Sequence, residues 1–154
     1  MAVSVTDQPD HEGRTHSMSA GLPDEVDVVG EDVWLTVPPF SEYLRTIRLV
    51  AADAAARAGL DCDEIEDFRI AVDELCHLLM SSTDHEISIS FGVVGQCAIA
   101  RGTAPRRHGT PLTPLGDLSA TIVRSVSDYH EMIECESEIG FAVMKQAHRM
   151  VAQA

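Results

Sequence analysis

The segment from residue 63 to residue 80 has the spacing of an amphipathic helix, and it constrains the fold more than any other part of the chain. Asp61 and Glu64 have the spacing of a capping box, which predicts that a helix begins there and runs to about Ser81. Apolar residues recur at intervals of three and four and form one stripe: Ile65, Phe68, Val72, Leu75 and Leu79. Such a helix must bury its apolar face against a second layer.

The other periodicities predict an α+β fold around this helix. The predicted elements are a strand at 33–37, a helix at 41–58, strands at 86–91 and 97–101, a loop at 102–117, a helix at 118–127 and strands at 129–136 and 139–147. This order is typical of helices packed on one face of a mixed, mostly antiparallel sheet. We expect one folded domain at 31–148, a disordered acidic tail at 1–30 and a short tail at 149–154.

Charge and cysteine usage exclude several classes of function. The formal net charge of −14 would repel phosphate backbones, so we expect no direct binding of nucleic acid. No apolar run reaches the length of a membrane span, and the four cysteines are dispersed, which favours a cytoplasmic protein with free thiols. The histidines do not cluster along the sequence, so no metal site is predicted.

Several segments together resemble the RsbW-like anti-sigma factors and serine-protein kinases, a branch of the GHKL ATPase superfamily. The resemblance lies in residues 37–49, 63–76, 87–92 and 118–144, and it includes the run Ile70-Ala71-Val72-Asp73-Glu74-Leu75-Cys76. It implies the Bergerat-type two-layer sandwich of that superfamily. The chain is also similar to actinobacterial members of the family in which the ATP site has degenerated.

The resemblance implies partners and a chemistry as well as a fold. Proteins of this family hold a sigma factor, bind ATP with magnesium and phosphorylate a serine on an anti-anti-sigma protein of the STAS type. They pair as homodimers, so a homodimer is expected here by likeness.

The residues that would bind ATP in this family are largely missing from this chain. Glu74 matches the family's catalytic base, but the magnesium-binding asparagine four residues later is replaced by Leu78, and the chain contains no asparagine. No Asp or Glu occurs from Gln96 to Gly116, so the adenine-binding aspartate is also absent. We therefore expect neither ATP nor magnesium as a cofactor and interpret Glu74 as a relic base, or as part of an ordinary acidic helix face.

A reduced set of residues remains for phosphate contact. Gly109 and Gly116 are the glycines left where the family has a glycine-rich stretch, and Arg106 and Arg107 are the candidate cations. The alternative interpretation of the two arginines is a solvated basic cluster in a loop.

Arg48 is the strongest candidate for partner binding. It matches the family's exposed arginine, which contacts both the sigma factor and the anti-anti-sigma protein, and a guanidinium suits such an anchor because it forms paired bonds with carboxylates. The alternative is a surface arginine paired with Glu42 or Asp53. Arg45, one turn earlier, is a weaker companion.

Three functions follow from these residues. The first is an anti-sigma factor without kinase activity, which sequesters an alternative sigma factor and is released by an anti-anti-sigma partner. The second is an active serine kinase with an altered ATP site, in which Glu74 is the base. The third is a non-catalytic GHKL-like scaffold with other protein partners.

Overall fold

The computed structural model describes residues 32–109 and 114–148, in which five strands form one sheet and three α-helices pack against it. In chain order the elements are β1 (Val33–Val37), a 3-10 turn (Ser41–Tyr43), α1 (Leu44–Arg57), α2 (Cys62–Ser82), β2 (Ile87–Val94), β3 (Cys97–Pro105), α3 (Asp117–Val126), β4 (Tyr129–Glu134) and β5 (Glu138–Gln146). The predicted tails, residues 1–30 and 149–154, lie outside the described residues.

The sheet has the order β1-β2-β3-β5-β4, and all four of its pairings are antiparallel. The sequence predicted a mixed, mostly antiparallel sheet. One row of cross-strand partners shows how the core forms: Leu35, Ile89, Gly102, Phe141 and Met132. Residues in one row share a face of the sheet, and this row belongs to the hydrophobic core. The predicted α+β architecture of the GHKL type is therefore confirmed.

The capping box at the start of α2 is present. The Glu64 N–H donates to Asp61 Oδ1 and the Asp61 N–H donates to Glu64 Oε2, both at 2.9 Å. Phe68, Val72 and Leu75 of the predicted stripe are fully buried, and Ile65 is partly buried. Local capping and apolar spacing thus fix both where α2 begins and which face it buries.

The predicted loop at 102–117 begins too early, because β3 continues to Pro105. Thr103 and Pro105 pair with Gly140 and Glu138 of β5. A Cβ at Gly102 would lie 2.8 Å from Phe141 Cζ and 3.0 Å from Leu79 Cδ1. This glycine therefore serves the close approach of core side chains rather than a turn.

Helix α1 lies beside α2 and presents its small residues to the core. Ala51, Ala54 and Ala55 are fully buried, while Leu49 is 65% exposed on the other side of the helix. Gly59, at φ +82°, ends the helix in the left-handed region. Within residues 32–109 and 114–148, no helix is long and apolar enough to cross a membrane.

Candidate functional site

A cleft of about 280 Å³ lies where α1 and α2 meet. Its lining is one residue of α1 and one face of α2: Arg48, Glu66, Arg69, Ile70, Asp73 and Glu74. The α2 residues recur at spacings of three and four, which places them on neighbouring turns of one helix surface. The cleft therefore joins the candidate partner-binding arginine to the candidate base.

Arg48 forms a two-point ion pair with Asp73 across the cleft. Its Nε–H donates to Asp73 Oδ1 at 2.7 Å and an Nη2–H donates to Oδ2 at 2.9 Å. The Arg48 and Asp73 side chains are 41% and 24% exposed. The hydrogen bond to Asp73 raises the pKa of Arg48 above its ordinary value, with burial opposing it. The guanidinium is therefore charged and held in one plane by α2.

The local pairing considered for Arg48 is wrong. Asp53 pairs instead with Arg57, whose Nε–H donates to Asp53 Oδ2 at 2.9 Å. Glu42 forms no ion pair with Arg48 within the described residues. Arg48 thus reaches across to α2 because helix packing brings a carboxylate 25 residues away within bonding distance.

The rest of the cleft is rich in charge but incompletely paired. Arg69 Nη1–H donates to Glu66 Oε2 at 2.7 Å, while the buried Arg69 Nε has no hydrogen-bond partner in the described part of the chain. Among those same residues, none forms an ion pair or hydrogen bond with Glu74. Within the described residues, the Glu74 carboxylate and the buried Arg69 Nε–H therefore have no protein partner.

Arg45 lies one turn before Arg48 on the outer surface of α1. It is exposed, and no residue in the described ranges pairs with it. Leu49 follows Arg48 and is also exposed. The three side chains form a continuous outer face of α1 that is basic and partly apolar.

One turn after Glu74, α2 offers no oxygen ligand. Leu78 is 8% exposed, and its carbonyl oxygen already accepts hydrogen bonds from the hydroxyls of Ser81 and Ser82 at 2.8 Å. His77 is exposed and projects from a different side of α2 than Glu74 and Leu78 do. Across residues 32–109 and 114–148, no group of three or more His, Cys, Asp or Glu side chains has the arrangement of a metal site.

The candidate phosphate residues lie away from the lining of this cleft. Arg107 binds the end of α2: its Nε–H and an Nη2–H donate to the two oxygens of Asp84 at 2.8 and 2.7 Å, and its backbone N–H donates to the Ser82 carbonyl at 3.1 Å. Arg106 Nη1 is 3.4 Å from the Cys135 carbonyl oxygen. The nucleotide role of both arginines stays a prediction.

The two candidate glycines flank a segment outside the described residues. Gly109 has φ +75°, and Gly116 precedes α3 and accepts a hydrogen bond from the Ala120 N–H at 2.9 Å. Gly116 is thus at a helix start, where backbone N–H groups favour anions. Their part in phosphate binding also stays a prediction.

The position of Arg107 predicts a structural effect of its removal. Arg107→Gln is expected to lower the urea midpoint of unfolding measurably, because carbonyls of the last turn of α2 lose a charged donor. The loss should shrink in high salt, since the Arg107 and Asp84 side chains are 38% and 67% exposed. Arg45→Gln serves as the matched control. Equal midpoints for the two variants would contradict the capping role.

Sequence reasoning missed the partner of Arg48 and the exposure of Leu49. Leu49 lies off the apolar stripe of α1, so its spacing could have indicated an outward position. No local spacing signals the Arg48–Asp73 pair, because the two helices must first pack.

Comparison with known proteins gives matches over part of the chain. It is 42% identical over 64 residues to a serine-protein kinase RsbW of Bacillus subtilis, covering 38% of this chain and 40% of that protein. It is 36% identical over 64 residues to the serine-protein kinase RsbW of Bacillus velezensis, with the same coverage. A third, from Bacillus cereus, is 36% identical over 67 residues, covering 41% of this chain and 42% of the relative. No model of a protein family matches the chain.

The chain thus spans about 40% of the length of the curated relatives it matches. The matched proteins share one name, and the fold of the described residues agrees with the GHKL type that the sequence predicted. Over that part, the fold and these matches together make the chain similar to the RsbW-like serine-protein kinases.

Proposed function

We propose that this protein is an anti-sigma factor that sequesters an alternative sigma factor of a stress or developmental regulon and releases it to an anti-anti-sigma protein of the STAS type. In this proposal it has no kinase activity and acts in the cytoplasm as a homodimer. The likeness to proteins named serine-protein kinase RsbW supports the family background. The proposal keeps the scaffold of that family and assigns it to protein binding alone.

The observation that carries the proposal is the burial of Leu78 one turn after Glu74. Magnesium prefers oxygen ligands in octahedral geometry and is held in nucleotide sites by carboxylates, amides and phosphates. Glu74 supplies one oxygen ligand and an aliphatic side chain stands at the next position on the same face. The residues present therefore do not fit magnesium-ATP, and no step of a phosphoryl transfer is assigned to them.

The position where the family places its adenine-binding turn adds to this argument. Residues 101–104 belong to β3; all four pair with β5, and residues 101–103 also pair with β2. Most of their backbone N–H and C=O groups are thus committed to the sheet, and their side chains include no carboxylate. Arg107, one of the two candidate cations, is engaged by Asp84.

The outer face of α1 supports the binding half of the proposal. Arg48 is held outward at the cleft, with Arg45 and the exposed Leu49 beside it. Arginine is among the residue types that dominate protein interfaces. Asp73 balances the charge of Arg48, so this face would bind an acidic partner segment through direct contact with guanidinium N–H donors rather than through a net positive charge.

Calorimetric titration of the full chain with magnesium-ATP tests the enzymatic half. We expect no heat of binding at millimolar nucleotide and no transfer of phosphate to a STAS-type protein, for wild type and for Glu74→Gln alike. Saturable nucleotide binding, with phosphate transfer that Glu74→Gln abolishes, would establish the kinase alternative that the relatives' name suggests.

A pull-down with the full chain, followed by identification of the captured proteins, tests the regulatory half. We expect a sigma factor, displaced by an anti-anti-sigma protein. Recovery of neither, or of partners unrelated to sigma factors, would support the scaffold alternative instead. The two experiments are independent, so a silent nucleotide site does not by itself decide the partner.

A further inference from the structure

We infer that Asp73 is a positioning residue: it holds the Arg48 guanidinium so that its outer edge is presented to a carboxylate of the protein partner. This inference rests on the proposed function, because it assigns a role to a second residue of the same binding face. It commits to one kind of partner group, an acidic side chain that reaches the mouth of the α1–α2 cleft beside Leu49.

The geometry of the ion pair leaves one edge of Arg48 available. A guanidinium carries five N–H donors, and Asp73 accepts from Nε and Nη2 only. In the described part of the chain, Asp73 is the sole hydrogen-bond partner of Arg48. The Nη1 donors and the second Nη2 donor therefore form the outer edge of the guanidinium, a second pair of donors of the kind that binds a carboxylate.

Exposure agrees with a presented rather than a concealed guanidinium. The Arg48 side chain is 41% exposed, whereas Asp73 is 24% exposed on the rigid α2 surface. The Asp73 carboxylate is thus the less exposed and better fixed group of the ion pair, and the Arg48 guanidinium is the more exposed group. Asp73 uses the inner edge of Arg48 and does not cover the outer edge.

The ion pair also reduces the entropy that binding must overcome. A free arginine side chain loses much rotamer freedom when a partner immobilises it, and prior fixation removes part of that loss. Two bonds to one carboxylate fix the guanidinium plane as well as its position. The substitution Asp73→Asn would keep the size of the side chain but remove one acceptor, so the guanidinium plane would no longer be fixed.

The charges around Arg48 make contact geometry more important than long-range attraction. The cleft residues comprise two arginines and three carboxylates, so the cleft as a whole does not attract an acidic group. A partner carboxylate gains only where it meets the outer edge of Arg48 directly. The affinity should therefore depend strongly on the orientation that Asp73 imposes.

The first test needs no partner. In ¹⁵N NMR spectra of the full chain, the Arg48 Nε–H of wild type is expected to be ordered and slow to exchange, and Asp73→Asn should make it mobile. The Arg57 Nε–H, which bonds to Asp53, is an internal reference that Asp73→Asn should leave unchanged. An Arg48 Nε–H that keeps its order in Asp73→Asn would overturn the inference.

The second test is a double-mutant cycle with the sigma factor identified by the pull-down. Asp73→Asn is expected to weaken its binding about three- to tenfold, as loss of one pre-ordered side chain implies. Combined with Arg48→Ala it should add nothing further. Asp53→Asn, the same charge change on α1, is the control and should leave the affinity unchanged.

The outcomes separate this inference from the proposed function. Tighter binding by Asp73→Asn would mean that Asp73 masks Arg48 from the partner. Unchanged binding would mean that Asp73 neither masks nor positions Arg48. Either result would overturn the inference. If Arg48→Ala itself leaves the affinity intact, the binding role proposed for Arg48 is wrong, while the NMR experiment still decides whether Asp73 orders its side chain.

Discussion

Replacement of Arg48 by glutamate is expected to weaken binding of the sigma factor by at least about 30-fold, because truncation of an anchor arginine costs about 2 kcal/mol or more. Charge reversal adds repulsion from the partner's carboxylate to that loss. Binding is measured by calorimetry with the protein identified in the pull-down. Circular dichroism checks the fold, since the new carboxylate would face Asp73, and Arg48→Ala supplies a second variant without that repulsion.

Arg57→Glu is the matched control for this experiment. It makes the same change of charge on the same helix, at a residue whose only carboxylate partner in the described ranges is the exposed Asp53. Its effect should stay within about threefold, as is usual for a charge at the rim of an interface or outside it. Equal losses in both variants would attribute the effect to overall charge, and an unaltered affinity for Arg48→Glu would remove Arg48 from the interface.

The contrast between Arg48 and α2 shows which parts of this protein local sequence determines. The start of α2 was predicted correctly because Asp61 and Glu64 bond to each other within one turn. Its buried face was predicted because apolar spacing of three and four residues depends only on helix geometry. Both signals lie within a few residues of the structure that they determine.

The partner of Arg48 could not be found in this way. Glu42 and Asp53 were considered because they are close along the chain, whereas the carboxylate that binds Arg48 belongs to the neighbouring helix. The pair depends on how α1 and α2 pack, which the buried alanines of α1 permit but do not specify. The same reason explains the missed pairing of Arg107 with Asp84.

The end of β3 was mispredicted for a related reason. Gly102, Thr103 and Pro105 have the composition of a loop, and only their pairing with β5, more than thirty residues later, makes them a strand. Sheet pairing between distant segments overrides local preference.

Phe68→Ala is expected to lower the free energy of unfolding by about 3–5 kcal/mol, since removal of a fully buried aromatic ring leaves a cavity that the core fills only in part. Phe68 is completely inaccessible and lies in the stripe by which α2 packs on the rest of the core. A domain of this size has a total stability of about 5–15 kcal/mol. Urea unfolding should be followed by far-UV circular dichroism, because Trp34 is already 62% exposed in the folded state and its fluorescence would change little.

Phe40→Ala is the control for this variant, because it removes the same ring from a side chain that is 60% exposed and should change stability by less than about 0.5 kcal/mol. Similar losses for the two variants would contradict the burial of the α2 stripe. Asp73 lies about 140° around the helix from Phe68, at 3.6 residues per turn. The Phe68→Ala molecules that stay folded should therefore still hold Arg48 in place. Their affinity for the sigma factor should be undiminished. That result would separate the residues that build the scaffold from those that bind the partner.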